Sequence, residues 1–188
     1  VSVYGEKLEI DHYNEKMKLN ACSNYGKTKI EAENLLFNKY NNKSWLLRFA
    51  PVYSKDFTLN IDRRVKIKNN FFKIGDGLKQ LSLCNIQNIH HVISHILNDK
   101  VPAGKYNVAD KNPYTYCDLL ENNNAIKIFR IPVFFLRISY LMGVILKNAF
   151  LKENSIKLIS SNTYSTKKIN KYLNLPFSIN DKNKNFYK

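Results

Sequence analysis

The chain is 188 residues long, 44% hydrophobic, 13% aromatic and 24% charged, with a formal net charge of +15. That length fits one domain, or one domain with a subdomain, and suffices for a proper core, while the apolar content excludes a wholly disordered chain. The absence of a heptad seam or short repeat excludes solenoid, collagen and coiled-coil architectures, and 6 Gly with 5 Pro are sparse for an all-β protein built on tight turns.

In chain order, Val1-Ser2-Val3-Tyr4-Gly5 reads as the end of a buried strand over residues 1–4, followed by a polar loop from Glu6 to about Cys22. Ser23-Asn24 then supplies N-cap chemistry for a helix reaching about Tyr40. Its apolar face is Ile30, Leu35, Leu36 and Phe37, Glu31 and Glu33 stay in water, and Asn41-Asn42 breaks it. Trp45-Leu46-Leu47-Arg48-Phe49 is a nearly continuous apolar run, typical of a parallel strand covered on both faces, and it ends at Ala50-Pro51-Val52-Tyr53. This opening stretch reads strand, loop, helix, strand: one βαβ unit. Beyond it the pattern expects a helix over 61–68, a short strand over 71–74 and a turn at Gly75-Asp76-Gly77, which lacks the third glycine of a dinucleotide fingerprint. A helix over 86–97, a strand over 104–108 and a helix near 116–120 follow. The apolar run 131–146, interrupted by Arg137, is shorter than the ~20 residues of a membrane span. It reads as a packed helix entered at Pro132, with peripheral membrane contact as the lesser alternative. Residues 166–173 read as a short helix stopped by Pro176.

Lys and Asn crowd the whole chain rather than one stripe, and no zinc-finger spacing or aromatic-interleaved basic patch stands out. A basic nucleic-acid-binding domain is therefore kept only as an outlying alternative. Cys22, Cys84 and Cys117 are scattered without a C-x-x-C pair and read as free thiols in a reducing cytoplasm. His90, His91 and His95 have no Cys or acidic neighbour to complete a tetrahedral site, so helix packing is preferred to metal.

Tyr25-Gly26-Lys27-Thr28-Lys29 holds Y-x-x-x-K in the first turns of the expected helix, with phenol and ammonium on one face. A free phenol titrates near pH 10 and is no base near neutrality. A fixed ammonium and an oxidised nicotinamide beside it favour the phenolate, and a shift to about 7 takes roughly 4 kcal/mol. With 12 Tyr in a Lys-rich chain a chance match is expected, and Tyr164-Ser165-Thr166-Lys167-Lys168 is one. Tyr25 lies between two strand-like runs; Tyr164 precedes a polar segment and reads as a decoy.

Val3-Tyr4-Gly5-Glu6, then Ser23-Asn24-Tyr25-Gly26-Lys27-Thr28-Lys29-Ile30-Glu31-Ala32-Glu33, then Leu47-Arg48-Phe49-Ala50-Pro51-Val52-Tyr53 resembles the extended short-chain dehydrogenase/reductases, the NAD-dependent epimerase/dehydratase family that includes UDP-glucose 4-epimerase. Asn85-Ile86-Gln87-Asn88-Ile89, Gly104-Lys105-Tyr106-Asn107-Val108-Ala109-Asp110 and Leu173-Asn174-Leu175-Pro176-Phe177-Ser178 extend the resemblance, in order, along nearly the full chain. It implies an α/β fold: the C-terminal part of a Rossmann-type doubly wound parallel sheet plus a smaller mixed α/β substrate-binding subdomain. The expected division places residues 1–58 in the dinucleotide-binding domain and 59–188 mainly in the substrate subdomain, with strand 104–108 as a candidate to return to the main sheet.

The resemblance further implies an NAD-dependent sugar-nucleotide epimerase or 4-keto reductase of polysaccharide precursor synthesis, with NADP as an alternative cofactor. Tyr25 moves a proton at a sugar hydroxyl while hydride is exchanged with the nicotinamide, and Lys29 holds the cofactor ribose and lowers the Tyr pKa. Cofactor contacts fall by match on Tyr25, Lys29, Ala50 and Val52; substrate contacts on Asn60, Arg63 and Arg64, whose paired guanidiniums suit a diphosphate. The nucleotide sugar is the expected partner, a homodimer is compatible with the complete enzyme, and neither nucleic acid nor a membrane span is expected.

Departures from the family pattern bear on this. The triad's Ser or Thr would lie one residue before Val1, and Ser2 is expected to point to the opposite side of the strand. The Asp-Glu pair of the 4,6-dehydratases is replaced by Val1 and Ser2, which argues against dehydration; Ser54 stands where the family's second strand has Gly, and Leu81 where an Arg often clamps the diphosphate. The glycine-rich turn that holds the pyrophosphate is absent from these residues, so the chain reads as a portion lacking roughly 100 residues of cofactor domain. A missing N-terminal cofactor-binding half is then a further partner, and this chain by itself is expected to bind NAD negligibly. The alternative is a non-catalytic, degenerate fragment of the same fold.

Overall fold

The structure, a computed structural model, describes residues 2–5, 7–8, 10–40 and 43–181. Val1, Glu6 and the helix breaker Asn41-Asn42 lie outside the described residues. A short strand, His12–Tyr13 (β1), precedes the long helix Asn24–Tyr40 (α1) and the strand Trp45–Phe49 (β2). Val52–Tyr53 (β3) leads into helix Leu59–Val65 (α2) and a hairpin of Lys66–Ile67 (β4) and Asn70–Ile74 (β5). Gln80–Leu81 (β6) and Cys84–Asn85 (β7) come before helix Ile86–Leu97 (α3) and strand Gly104–Val108 (β8). Then follow Tyr114–Thr115 (β9), helix Tyr116–Asn122 (α4), strand Ile128–Ile131 (β10), the helical pair Val133–Ile145 (α5) and Ala149–Ile159 (α6), and Thr163–Tyr164 (β11).

The α/β class is as the resemblance implied, with parallel pairing dominant. β2 and β8 run parallel, with Trp45 opposite Gly104 and Phe49 opposite Val108. β3 with β7, β1 with β11 and β5 with β10 are also parallel; β4–β5 and β6–β9 are antiparallel. Two apolar clusters fill the interior. One gathers Tyr4, Tyr13, Tyr106, Val108 and Tyr164 between β8, α3 and β1; the other gathers Tyr53, Ile61, Val65, Leu83 and Leu119 between β3, α2 and α4.

Local signals set several boundaries. Ser23 Oγ accepts the Gly26 amide at 3.2 Å to open α1, and Asn85 Oδ1 accepts the Gln87 amide at 3.0 Å to open α3. α4 starts from a full capping box between Thr115 and Asp118.

Other expectations fail for identifiable reasons. Residues 2–4 form a turn, not a strand; the Val3 carbonyl is taken by the Asn20 amide at 3.0 Å rather than by a ladder. The strand expected through Tyr53 breaks at Ala50-Pro51, and β3 joins β7 instead of β8. The helix expected to Lys68 stops at Val65, and Lys68 sits at φ 54 in the tight β4–β5 turn. Only Ile30 of the α1 apolar face packs on the core; Leu35 is 71% exposed and Leu36 and Phe37 are exposed too. The helix entered at Pro132 exists, but most of its large apolar side chains, Phe134, Phe135, Leu141 and Ile145 among them, are exposed. The tail helix is reduced to a single 3₁₀ turn, Ile169–Lys171.

Candidate functional site

Tyr25 and Lys29 lie on adjacent turns of α1, with the Lys29 ammonium 5.5 Å from the Tyr25 ring centroid. Both are exposed, Tyr25 at 64%. The first turn of α1 packs closely enough to require glycine at position 26: a Cβ there would sit 2.6 Å from Ala21 Cβ and 2.7 Å from the Ser2 carbonyl oxygen. This contact fixes the helix end that carries Tyr25.

Tyr25 and Lys29 border a cleft of ≈ 1220 Å³. Ala50, Val52, Asn60, Arg63 and Arg64 line the same cleft, so the expected catalytic, cofactor and substrate residues converge on one depression. Ser2 also lines it; residues 2–4 form no strand, so the alternation argument for its side chain does not apply. Asn60 spends its amide on the Val52 carbonyl at 2.8 Å, which ties α2 to β3. Arg64 donates from Nη1 to the Lys157 carbonyl and so joins α2 to α6. Arg63 is exposed and has no ion pair or hydrogen bond among the described residues. Of the two arginines, Arg63 is the one available to an incoming anion.

The sequence reading missed the α6 wall, which contributes Asn154 and Lys157 to the cleft. Lys157 approaches Glu153 at 3.8 Å. With Lys29, Arg63 and Arg64, it gives the cleft a cationic excess suited to phosphate oxygens.

A second omission lies at the cleft floor. Glu33, expected in water, forms a forked ion pair with Arg48, whose Nε and Nη2 donate to the two carboxylate oxygens at 2.9 and 2.6 Å. The Arg48 and Glu33 side chains are 4% and 12% exposed. Arg48 Nη1 donates to the Tyr4 hydroxyl at 2.9 Å, and that hydroxyl donates to Asn107 Oδ1 at 2.7 Å. Arg48 and Asn107 are register partners in β2 and β8, so the network runs from α1 across the sheet. Burial pushes the Tyr4 phenol above its ordinary value, opposed by the neighbouring guanidinium. The usable signal was a lone Arg in an otherwise apolar strand, since a buried charge requires a partner.

Asp110 forms another buried node. Its carboxylate accepts from Tyr53 Oη at 2.6 Å, Tyr114 Oη at 2.8 Å, the Asn85 amide at 2.7 Å and Asn88 Nδ2 at 2.8 Å. Burial raises the Asp110 carboxyl above its ordinary value, against these four donors, which pull it down. Tyr164, the second Y-x-x-x-K tyrosine, is buried in β11 among Tyr4 and Tyr13, whereas Lys168 donates to the Lys105 carbonyl at 2.8 Å. That motif is not on a helix, and its two members serve different contacts. Among the described residues no group of three His, Cys, Asp or Glu could hold a metal ion; His91 and His95 share a helix face, ring centroids 4.3 Å apart.

No family model and no curated protein matches the chain. Solved structures do. The UDP-glucuronic acid 4-epimerase of Bacillus cereus, solved with NAD, matches over 96% of this chain and 54% of its own at TM-score 0.64 and 18% identity. A conserved Silicibacter pomeroyi protein of unknown function matches over 96% of this chain and 60% of its own, with TM-score 0.67 and 14% identity. A dTDP-4-dehydrorhamnose reductase from Bacillus anthracis, solved with NADP, matches over 93% and 58%, with TM-score 0.59 and 14% identity. The chain thus spans between 54% and 60% of the length of these structures. It shares the fold of the extended short-chain dehydrogenase/reductases.

Proposed function

On that fold, we propose that the chain acts on nucleotide sugars as part of an NAD(P)-dependent epimerase or 4-keto reductase, with Tyr25 as the proton-transferring group. The observation that carries this reading is the convergence of Tyr25, Lys29, Ala50, Val52, Asn60, Arg63 and Arg64 on one cationic cleft. NAD or NADP, when bound, supplies the group that takes up or returns hydride at the sugar carbon. The residues present fit one end of such a cofactor: Lys29 presents an ammonium beside the Tyr25 ring to meet the ribose hydroxyls. Tyr25 Oη accepts a proton from a sugar hydroxyl, or returns one, at the part of the cleft where the Lys29 ammonium also lies. Arg63 pairs with the substrate diphosphate by charge-assisted hydrogen bonds. Arg64 and Asn60 act indirectly, by holding α2 against α6 and β3 so that Arg63 faces the cleft.

The test is calorimetric titration of the complete enzyme, in which this chain is joined to a cofactor-binding half, with UDP-glucose and UDP-glucuronate, with NAD present, beside NMR detection of sugar interconversion. Tyr25→Phe should lower turnover by at least about 100-fold with little change in nucleotide-sugar affinity. Arg63→Ala should weaken binding by roughly 10- to 100-fold. Binding that Arg63→Ala does not change would return Arg63 to an exposed helix face. Saturable binding with no interconversion at any NAD concentration would favour the non-catalytic reading of the same fold.

A further inference from the structure

The helical pair α5–α6 meets through small residues and leaves most of the large apolar side chains of α5 exposed. Ser139 and Ser155 hydroxyls hydrogen-bond at 3.0 Å across the pair, and a Cβ on Gly143 would lie 2.7 Å from the Lys152 backbone nitrogen. Phe134, Phe135, Ile138, Leu141, Met142 and Ile145 share the opposite helical face, and all are exposed, Phe134 at 66% and Ile145 at 77%. Phe150, at 75%, extends the surface onto α6. Helices that meet through small residues and turn bulky apolar ones outward are built as if for an apolar surrounding.

Charge decides which surrounding. Between Glu121 and Glu153 the only charged residues are Lys127, Arg130, Arg137, Lys147 and Lys152. A second copy would bring these cations against themselves, because a self-complementary contact sets a patch opposite itself. An anionic surface with an apolar interior matches both halves of the pattern.

We propose that the exposed face of α5 is a docking surface for an anionic lipid bilayer. Phe134, Phe135, Leu141 and Ile145 enter the boundary between headgroups and acyl chains, and Arg130, Arg137 and Lys147 meet the anionic headgroups. Aromatic and aliphatic residues bordered by Lys and Arg are the pattern of an interfacial helix. α5, at 13 residues, lies along the surface; no helix among the described residues is long and apolar enough to cross a membrane. The inference is independent of the sugar-nucleotide reading.

Co-sedimentation with phosphatidylcholine vesicles, with and without phosphatidylserine, tests it. The chain should bind the phosphatidylserine vesicles at least about tenfold more tightly, and added salt should weaken that binding. Arg130→Glu/Arg137→Glu should reduce it by at least about tenfold, at roughly fivefold per basic residue lost near an anionic surface. Phe134→Ser/Phe135→Ser should also abolish the preference, whereas Leu35→Ser/Leu97→Ser, which alters exposed apolar residues elsewhere, should not. Phe135→Trp should show a blue-shifted emission on phosphatidylserine vesicles, a readout that needs no loss of function. Equal affinity for both vesicle types, or insensitivity to both α5 variants, would overturn the proposal. So would a dimer that Phe134→Ser/Phe135→Ser dissociates while vesicles remain unbound, which would assign the face to a second copy. Salt-sensitive RNA binding unaffected by the Phe variants, without vesicle binding, would overturn it as well.

Discussion

Arg48→Met tests whether the network at the cleft floor holds α1 to the sheet. The substitution keeps most of the side-chain volume and deletes the guanidinium. It removes two hydrogen bonds to Glu33 and one to Tyr4, leaving the Glu33 carboxylate, 12% exposed, without its partner. Tyr4 keeps its bond to Asn107, so the cost falls mainly on the orphaned carboxylate. Breaking a buried pair from one side costs about 3–5 kcal/mol. In a chain of this size each kcal/mol moves Tm by about 2–4 °C, so the midpoint should fall on the order of 10 °C. Glu33→Leu/Arg48→Met removes both charges and should recover stability to within about 1 kcal/mol of wild type. Trp45, the single tryptophan, begins β2 and donates to the Val101 carbonyl at 2.9 Å. Its fluorescence in urea therefore reports the strand that carries Arg48, and an unchanged m-value would confirm a pure stability effect. A loss under about 1 kcal/mol in Arg48→Met, or a double variant as unstable as the two single losses added, would refute the buried-pair argument.

Three other outcomes are expected. Gly143→Ala should destabilise by about 1–3 kcal/mol in thermal melts, because the new Cβ meets backbone of α6 at 2.7 Å. Asp110 has a folded-state pKa raised by burial, so the protonated form favours the fold; its contribution is fully present below the unfolded carboxylate value near 4 and lost as pH rises through the folded value. Urea midpoints against pH should show that decline in wild type and a flatter profile in Asp110→Asn. In the sugar-interconversion assay, Tyr164→Phe should leave turnover within about threefold of wild type, unlike Tyr25→Phe; a large loss would make Tyr164 the proton-transferring residue.

What the sequence disclosed was mainly what neighbours along the chain decide. α3 and β8 match their expected spans because a cap, an amphipathic period and a Gly boundary are all local. Two-residue strands such as β1, β6, β9 and β11 exist only through partners far away, and no local period marks them. Leu35, Leu36 and Phe37 form an apolar face in the sequence yet stay exposed, since apolar residues also cover much of any folded surface. The same asymmetry hid the outward face of α5. At the cleft, Tyr25 and Lys29 were legible as a spacing within one helix. Asn154 and Lys157 were not, because only the docking of α6 brings them near α1 and α2. Arg48 was visible, but its partner Glu33 could be chosen only once the helix was laid on the sheet.

The pairing of β1 with β11 bears on the order in which the molecule assembles. His12 meets Thr163 at a sequence separation of 151, and the ring of Tyr164 lies within 6.1 Å of Tyr4 and 5.7 Å of Tyr13. Closing so long a loop costs about 4 kcal/mol of chain entropy before any contact offsets it. The helices and the β4–β5 hairpin, whose contacts are local, carry no such delay, so the three-tyrosine stack joins late. Until it does, the Ser82 hydroxyl that accepts the Tyr164 amide, and the core side of Tyr4 beside Arg48, stay open to water. A nascent chain should therefore spend its longest wait with the floor of the cleft unsealed, and a chaperone or protease would meet it first at that seam.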